Sequence, residues 1–95
     1  MDILVTYDIA TDTREGERRL ATVAAICERY GIRVQYSVFE CRLPSHKVLQ
    51  LMDELRSVID FVQDSVRIYR IESGFEKCCT CIGRDQANQW EPWIL

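Results

Sequence analysis

Stretches of strand character alternate with two helical apolar stripes along this chain, and this order constrains the fold more than any single residue does. Ile3 to Tyr7 is rich in residue types that favour strands. A helical stripe follows and ends near Tyr30, and a second begins after Pro44. Residues 65–71 return to strand character. This alternation predicts an α+β fold, a ferredoxin-like βαββαβ sandwich.

The two stripes consist of apolar side chains spaced three and four residues apart. The first is Leu20, Val23, Ala24 and Cys27, and the second is Val48, Leu51, Met52, Leu55, Val58 and Ile59. Asp12 with Glu15 predicts a capping box at the start of the first helix. Gly31 predicts a left-handed end to that helix, and Ser45 predicts the N-cap of the second.

The segment between the helices leaves two strand arrangements open. Ile32 to Arg42 alternates without a Gly, Pro or Asn-Gly turn signal. It therefore predicts either one long strand or a bent pair that is joined tightly near residues 35–37. After a turn at Ser73-Gly74, the pattern of Lys77 to Ile82 predicts a further short strand.

Length and charge limit the classes of function. A chain of 95 residues predicts one domain, which spans residues 1–95. The net charge of −3 argues against a surface that is basic all over, so contacts to nucleic acid must come from a few locally placed arginines. The sequence contains no run of 18 apolar residues, so we expect no membrane span. The N-terminal strand pattern lacks a basic segment, so we expect no secretory signal. We therefore expect a cytoplasmic protein.

The cysteines indicate reduced thiols. There are 5 of them, an odd number. Cys78 and Cys81 have the spacing of a zinc pair, but zinc needs two further ligands and His46 is the only histidine. The favoured interpretation is that Cys79 and Cys81 alternate with Cys78 on the short strand and act as small hydrophobic residues.

Asp8 directly follows the first strand pattern and is the leading candidate for a metal ligand. A carboxylate at the end of a strand is held by a rigid element, and its charge must be solvated, paired or bound to a cation. Such a group suits Mg²⁺, which often takes one or two protein carboxylates and keeps several waters. The alternative is that Asp8 only ends the strand or pairs with a nearby arginine.

Three stretches together, Leu4–Ile9, Tyr30–Cys41 and Asp64–Ile71, match one family in order and spacing. On these stretches the chain resembles the small CRISPR-associated adaptation subunit, the partner of the CRISPR integrase in spacer acquisition. The resemblance covers residues 1–82, whereas the Cys-rich strand and the tail of residues 83–95 depart from the family pattern.

The resemblance implies a homodimer in which the Asp8 side chains of the two subunits face each other across the twofold axis and share one Mg²⁺ or another divalent cation. It also implies one of two functions. One is a metal-dependent endonuclease on double-stranded DNA or single-stranded RNA. The other is a non-catalytic scaffold that bridges integrase dimers. A third possibility is a ligand-sensing ferredoxin-like domain. Such a domain is expected to have a Gly-rich loop, and the chain has only 4 glycines, which argues against it.

Four arginines are predicted to contact nucleic acid: Arg14, Arg18, Arg19 and Arg33. The first three lie at the start of the first helix, where a solvated face of mixed charge with Glu15 is the alternative. Arg33 matches a family position and could hold a phosphate bidentately. Its alternative role is an ion pair with Glu40 or Asp64.

Two aromatic residues near these positions are also candidates. Tyr7 could position a phosphate, but strand alternation turns it away from Asp8 and favours core packing. Phe39 matches a family position, where core or dimer packing is favoured over stacking on a base. The apolar tail Trp90–Leu95 predicts a docking segment, on its own sheet, on the second subunit or on the integrase.

Overall fold

A computed structural model describes residues 1–85, which form one four-stranded antiparallel sheet with two long helices and one short helix. The elements are β1 (Asp2–Asp8), α1 (Arg14–Tyr30), β2 (Ile32–Gln35), β3 (Val38–Arg42), α2 (Ser45–Val58), β4 (Ser65–Arg70) and α3 (Phe75–Cys78). The strands lie in the order β2-β3-β1-β4. The predicted ferredoxin-like βαββαβ arrangement is confirmed.

The segment between the long helices is a bent pair of strands rather than one long strand. Gln35 pairs with Val38, so the two strands are joined by the turn Tyr36-Ser37, and the ladder is irregular between Arg33 and Gln35. The turn contains no residue with a positive φ. The hairpin turn therefore needs neither glycine nor asparagine. This explains why the sequence of this segment contains no turn signal.

The two faces of the sheet differ in what covers them. Val5 of β1 lies opposite Phe39 of β3 and Ile68 of β4, and these side chains point toward α1 and α2. Leu4 and Thr6 point to the other side. We call this second side the open face, meaning the sheet face opposite α1 and α2.

The core lies between the sheet and the two long helices. Its fully buried members include Val5, Val23, Cys27, Phe39 and Leu51. Most of the apolar positions predicted for the helices are buried or half-buried, and Ile26 is an additional buried residue of α1. The helical spacing thus identified the faces that pack on the sheet.

Three predictions about helix ends are wrong in detail. The N-cap of α1 is Thr13, whose hydroxyl accepts from the amide of Gly16, rather than Asp12. Gly31 is extended, with φ −161°, rather than left-handed, and a Cβ there would lie 2.4 Å from the Cys41 sulfur. A glycine is required because two segments approach closely. Pro44, not Ser45, occupies the N-cap position of α2.

The predicted strand from Lys77 to Ile82 is also wrong. Residues 75–78 form α3, in which the Phe75 carbonyl accepts from the amide of Cys79, and residues 79–85 contain no strand. The Phe75 amide donates to the Asp2 carboxylate at 3.0 Å and the Phe75 ring is buried, which fixes this helical turn. No described strand edge pairs with the segment, so its period-two pattern does not lead to a strand.

All three cysteines of this segment are exposed, and no disulfide links any of the 5 cysteines. The interpretation of Cys79 and Cys81 as small hydrophobic residues on a strand is therefore wrong. The tail Trp90–Leu95 lies outside the described residues. No helix within residues 1–85 has the length and apolar character needed to cross a membrane.

Candidate metal site and nucleic-acid surface

Asp8 is the last residue of β1, and its side chain is exposed. Its backbone lies opposite Ser65, the first residue of β4. Because side chains alternate along the strand, Asp8 projects with Leu4 and Thr6 on the open face. The strand pair therefore presents a charged carboxylate from a hydrogen-bonded backbone.

The surroundings of Asp8 leave it available to a ligand. Within the described part of the chain, no lysine or arginine forms an ion pair with it. The alternative that Asp8 pairs with an arginine therefore finds no support among these residues. The short helix α3 contacts Asp2 at the opposite end of β1, about 20 Å away at the usual rise of a strand. The Asp8 end of the open face remains exposed.

The open face also carries apolar side chains that no described element buries completely. Leu4, Ile32 and Val38 are half-buried, and Tyr69 is 44% exposed. At the α3 end, burial and the nearby Asp85 carboxylate raise the pKa of Glu40. The face thus combines an apolar centre with a carboxylate at its exposed end.

A buried carboxylate fastens the loop that follows Asp8. Asp64 accepts hydrogen bonds from the Ala10 amide at 3.0 Å, from Arg19 Nε at 2.7 Å and from the Asp60 amide at 2.9 Å. The Arg19 guanidinium lowers the pKa of Asp64, and the two amides act in the same direction. The loop after β1, helix α1 and the loop before β4 therefore meet at one side chain.

This role of Asp64 is the main feature that the sequence did not reveal. The sequence predicts Asp64 as a possible partner for Arg33, and Arg19 as a contact to nucleic acid or as part of a solvated face of mixed charge. The two residues are 45 positions apart. The local pattern around each of them contains no signal for the other, although an aspartate in a turn commonly accepts a hydrogen bond from nearby backbone.

The four predicted arginines lie in different surroundings. Arg14 and Arg18 are exposed on the first turns of α1, one turn apart on the same side of the helix. Arg19 instead points inward to Asp64, and its side chain is 18% exposed. The structure therefore brings Arg14 and Arg18 together as a surface pair and separates Arg19 from them.

Arg33 lies on the helix side of the sheet. It pairs with Phe39 across the β2–β3 ladder, and its guanidinium carbon lies 5.1 Å from the centre of the Phe39 ring. Its Nη1 is 3.7 Å from Glu28 Oε1. The suggested partners Glu40 and Asp64 are wrong, because Glu40 faces the other side of the sheet and Asp64 is bound to Arg19.

Tyr7 and Phe39 are core residues in this chain, and for Tyr7 strand alternation indicated this. Phe39 is 0% exposed, and its ring lies 6.2 Å from that of Tyr7. The Tyr7 hydroxyl donates to the Tyr36 carbonyl at 3.4 Å, and burial raises the pKa of Tyr7. Neither side chain lies on the open face with Asp8, so in the isolated chain they support the site by packing.

Asp8 is exposed and lies outside the two depressions described for this chain. A depression of about 560 Å³ between α1 and the β2–β3 turn is lined by Tyr7 and Arg33, and one of about 240 Å³ between α2 and β4 is lined by Leu55 and Ile68. Asp8 lines neither of them. An exposed carboxylate on an open sheet face is accessible to a long polymer, whereas small ligands prefer concave sites.

A single chain supplies one carboxylate to this site. Among residues 1–85, no three side chains of His, Cys, Asp or Glu come together in a way that could hold a metal ion. Mg²⁺ accepts one or two protein carboxylates and completes its octahedral shell with water. A single strand-end carboxylate such as Asp8 therefore fits the chemistry of Mg²⁺.

The fold and the site define a class of proteins, namely ferredoxin-like α+β domains that offer one strand-end carboxylate on an open sheet face. The chain belongs to the family described as CRISPR associated protein Cas2, whose sequence pattern matches residues 1–77. The resemblance predicted from the three sequence stretches is thereby confirmed.

Relatives and solved structures agree with this assignment. The chain is 45% identical over 83 residues to the CRISPR-associated endonuclease Cas2 of Halalkalibacterium halodurans, covering 87% of this chain and 86% of the relative. It is 46% identical over 77 residues to the CRISPR-associated endoribonuclease Cas2 1 of Moorella thermoacetica, covering 81% and 80%. The crystal structure of Streptococcus pyogenes Cas2 at pH 6.5 superposes with a TM-score of 0.78 at 38% identity, covering 87% of this chain and 100% of that one.

Proposed function

We propose that this chain is a spacer-acquisition subunit that binds duplex DNA as a homodimer and cleaves phosphodiester bonds of DNA or RNA with a divalent cation. The observation that carries the proposal is the exposed Asp8 carboxylate, held at the end of β1 by pairing with β4. Relatives that are named endonuclease or endoribonuclease support the reaction class. The described thiols are all free, in keeping with a cytoplasmic location.

The open face supports the homodimer. The half-buried side chains Leu4, Ile32 and Val38 lie there, and neither α1 nor α2 covers them. A second copy would cover them if the interface buried more than about 1,000 Å² in total. A twofold axis near the end of β1 would bring the two Asp8 carboxylates together. Their mutual repulsion would favour a shared cation.

The residues of the chain have distinct roles in this proposal. The paired Asp8 carboxylates would hold Mg²⁺, and the bound cation would supply polarisation of a phosphoryl oxygen and a coordinated water of lowered pKa. Arg14 and Arg18 hold phosphates of the nucleic acid along α1, where both are exposed. Arg33 and Arg19 were also predicted to contact nucleic acid. In the isolated chain they are engaged by Glu28 and Asp64.

A second candidate function is a scaffold that bridges integrase dimers without catalysis. The exposed position of Asp8, outside both described depressions, favours it, because an exposed surface can hold duplex DNA whether or not a bond is cut. Both functions need the dimer and the arginines. Only the nuclease needs the Asp8 charge for cleavage.

Substitution of Asp8 by Asn separates the two functions. Asn is nearly isosteric with Asp and lacks the charge, so Asp8→Asn should abolish Mg²⁺-stimulated cleavage of duplex DNA and RNA while the protein stays folded and dimeric. Asp12→Asn is the matched control, because Asp12 is an exposed carboxylate in the following loop, and it should cleave as the wild type does. Light scattering at micromolar concentration reports the dimer.

The outcomes are distinct. Undiminished metal-dependent cleavage by pure Asp8→Asn would disprove the role of Asp8. Loss of cleavage with intact spacer acquisition would assign the scaffold as the physiological function. A protein that stays monomeric at micromolar concentration would disprove the shared site.

A further inference from the structure

The Asp64 carboxylate joins four donors from three segments of the chain. Its Oδ1 accepts from the Ala10 amide at 3.0 Å and from Arg19 Nη2 at 3.4 Å. Its Oδ2 accepts from Arg19 Nε at 2.7 Å and from the Asp60 amide at 2.9 Å. The Asp64 side chain is 0% exposed. A buried carboxylate with this many donors is a fixed point in the fold.

Asp64 is linked to the backbone of Asp8 in two ways, through the strand β4 that follows it and through the loop that follows β1. Asp64 immediately precedes Ser65, whose backbone pairs with Asp8. The Ala10 amide that donates to Asp64 comes two residues after Asp8. The backbone of Asp8 is therefore held between the β1–β4 ladder on one side and the Asp64 hydrogen bond on the other.

We propose that Asp64, clamped by Arg19, is a positioning residue that sets the backbone at Asp8 so that its carboxylate can share a divalent cation with a second copy. This inference rests on the proposed metal site at Asp8. Loss of a group that is hydrogen-bonded to a metal ligand typically weakens metal binding about 10- to 100-fold, and Asp64 acts through the Asp8 backbone, so we expect the lower end of this range. When the two carboxylates come from separate subunits, the backbone of each subunit must position its own carboxylate accurately, because no covalent link fixes one relative to the other.

The geometry predicts what a neutral replacement does. In Asp64→Asn, one oxygen becomes an NH₂ group, which donates and does not accept. Each oxygen of Asp64 faces two donors, so the NH₂ group must face either the Ala10 amide or the Asp60 amide in any orientation. One of these segments, or the Arg19 side chain, has to move. Arg19→Lys keeps the charge but loses the guanidinium that reaches both oxygens.

Direct binding of Mn²⁺, followed by electron paramagnetic resonance on the full chain, tests the proposal without relying on activity. We expect about tenfold weaker Mn²⁺ affinity in Asp64→Asn, with a smaller loss in Arg19→Lys. Measurements are made at a protein concentration at which light scattering shows equal dimer populations. The matched control is Glu54→Gln, which disturbs a different link between α1 and α2 through Arg29 and Tyr30. It should lower stability and leave the Mn²⁺ affinity unchanged.

Asp8→Asn, measured in parallel, separates failure of this inference from failure of the proposed function. Mn²⁺ binding that persists in Asp8→Asn shows that the metal site itself is misassigned. Binding that is lost in Asp8→Asn but unchanged in both Asp64→Asn and Arg19→Lys overturns the positioning role alone. If Asp64→Asn does not fold, Arg19→Lys decides, and wild-type affinity in that variant overturns the proposal. Equal weakening in Glu54→Gln overturns it too, because the effect would then be general destabilisation.

Discussion

Replacement of Gly16 by alanine tests how tightly the loop after Asp8 is packed against α1. Gly16 is buried in the first turn of α1, and a Cβ built there would lie 2.0 Å from the Ala10 carbonyl oxygen and 3.3 Å from Thr11 Cα. Ordinary contact begins at 3.4 Å, so the loop would have to move by about 1.4 Å. The neighbouring atoms belong to the backbone and cannot rotate away as a flexible side chain would.

Three contributions decide the sign of the effect on the free energy of unfolding. The higher helix propensity of alanine would stabilise α1 by up to about 1 kcal/mol. Overpacking against the backbone costs about 1–3 kcal/mol. Displacement of Ala10 also weakens the hydrogen bond from its amide to the buried Asp64 carboxylate. A hydrogen bond to a charged group contributes about 1.5–3 kcal/mol to stability. The unfavourable contributions exceed the gain, and we expect Gly16→Ala to destabilise the protein by about 2–4 kcal/mol.

Urea denaturation followed by circular dichroism at 25 °C and pH 7 measures this difference. The control is Thr22→Ala, at an exposed position of the same helix, where alanine should stabilise by a few tenths of a kcal/mol through helix propensity. A Gly16→Ala variant as stable as the wild type, or more stable, would refute the reasoning. The loop after Asp8 would then be free to move, and its fastening by Asp64 would not matter.

Two further predictions concern pH and the thiols. Because Arg19 lowers the pKa of Asp64, the stability from this pair is complete above the ordinary aspartate pKa, near 4, and is lost as the pH falls through the lower folded value. The unfolding free energy, measured in urea at several pH values, should therefore fall less steeply between about pH 5 and 2 in Asp64→Asn than in the wild type, and equal slopes would contradict the pair. Burial raises the pKa of Cys27 and of Cys41 to about 12, so iodoacetamide at pH 8 should label the three exposed cysteines in the native protein. Mass spectrometry should find Cys27 and Cys41 labelled only after unfolding, and rapid native labelling of either would show an open core.

The sequence revealed those features that depend on neighbours a few positions away. The spacing of Val48, Leu51 and Leu55 identifies the buried face of α2, because helical neighbours share a face whatever the rest of the fold does. Alternation likewise placed Tyr7 and Asp8 on opposite sides of β1. Local periodicity therefore predicted the layers of the sandwich and the accessibility of the candidate ligand.

Features that depend on distant partners were not predicted. One local detail was also missed, because the Thr13 hydroxyl rather than Asp12 accepts from the Gly16 amide and caps α1. Gly31 is needed because the Cys41 side chain and the Glu40 carbonyl approach it from another strand. The strand pattern after residue 76 failed because no described strand pairs with this segment, and the contacts of Phe75 with the distant Asp2 hold its start as a helical turn.

The central place of β1 in the sheet has a consequence for how the protein forms. Of the described strands, β1 is synthesised before its partners β3 and β4, and Asp8 pairs with Ser65, 57 positions later in the chain. Domains generally fold as units during synthesis, and pairings between distant segments slow folding because loop closure must come first. The strand end that carries Asp8 therefore has no β4 neighbour until the ribosome has passed residue 65. A nascent chain that stops earlier exposes β1 without its full set of partners, so the candidate metal site can be completed only after most of the described chain has been made.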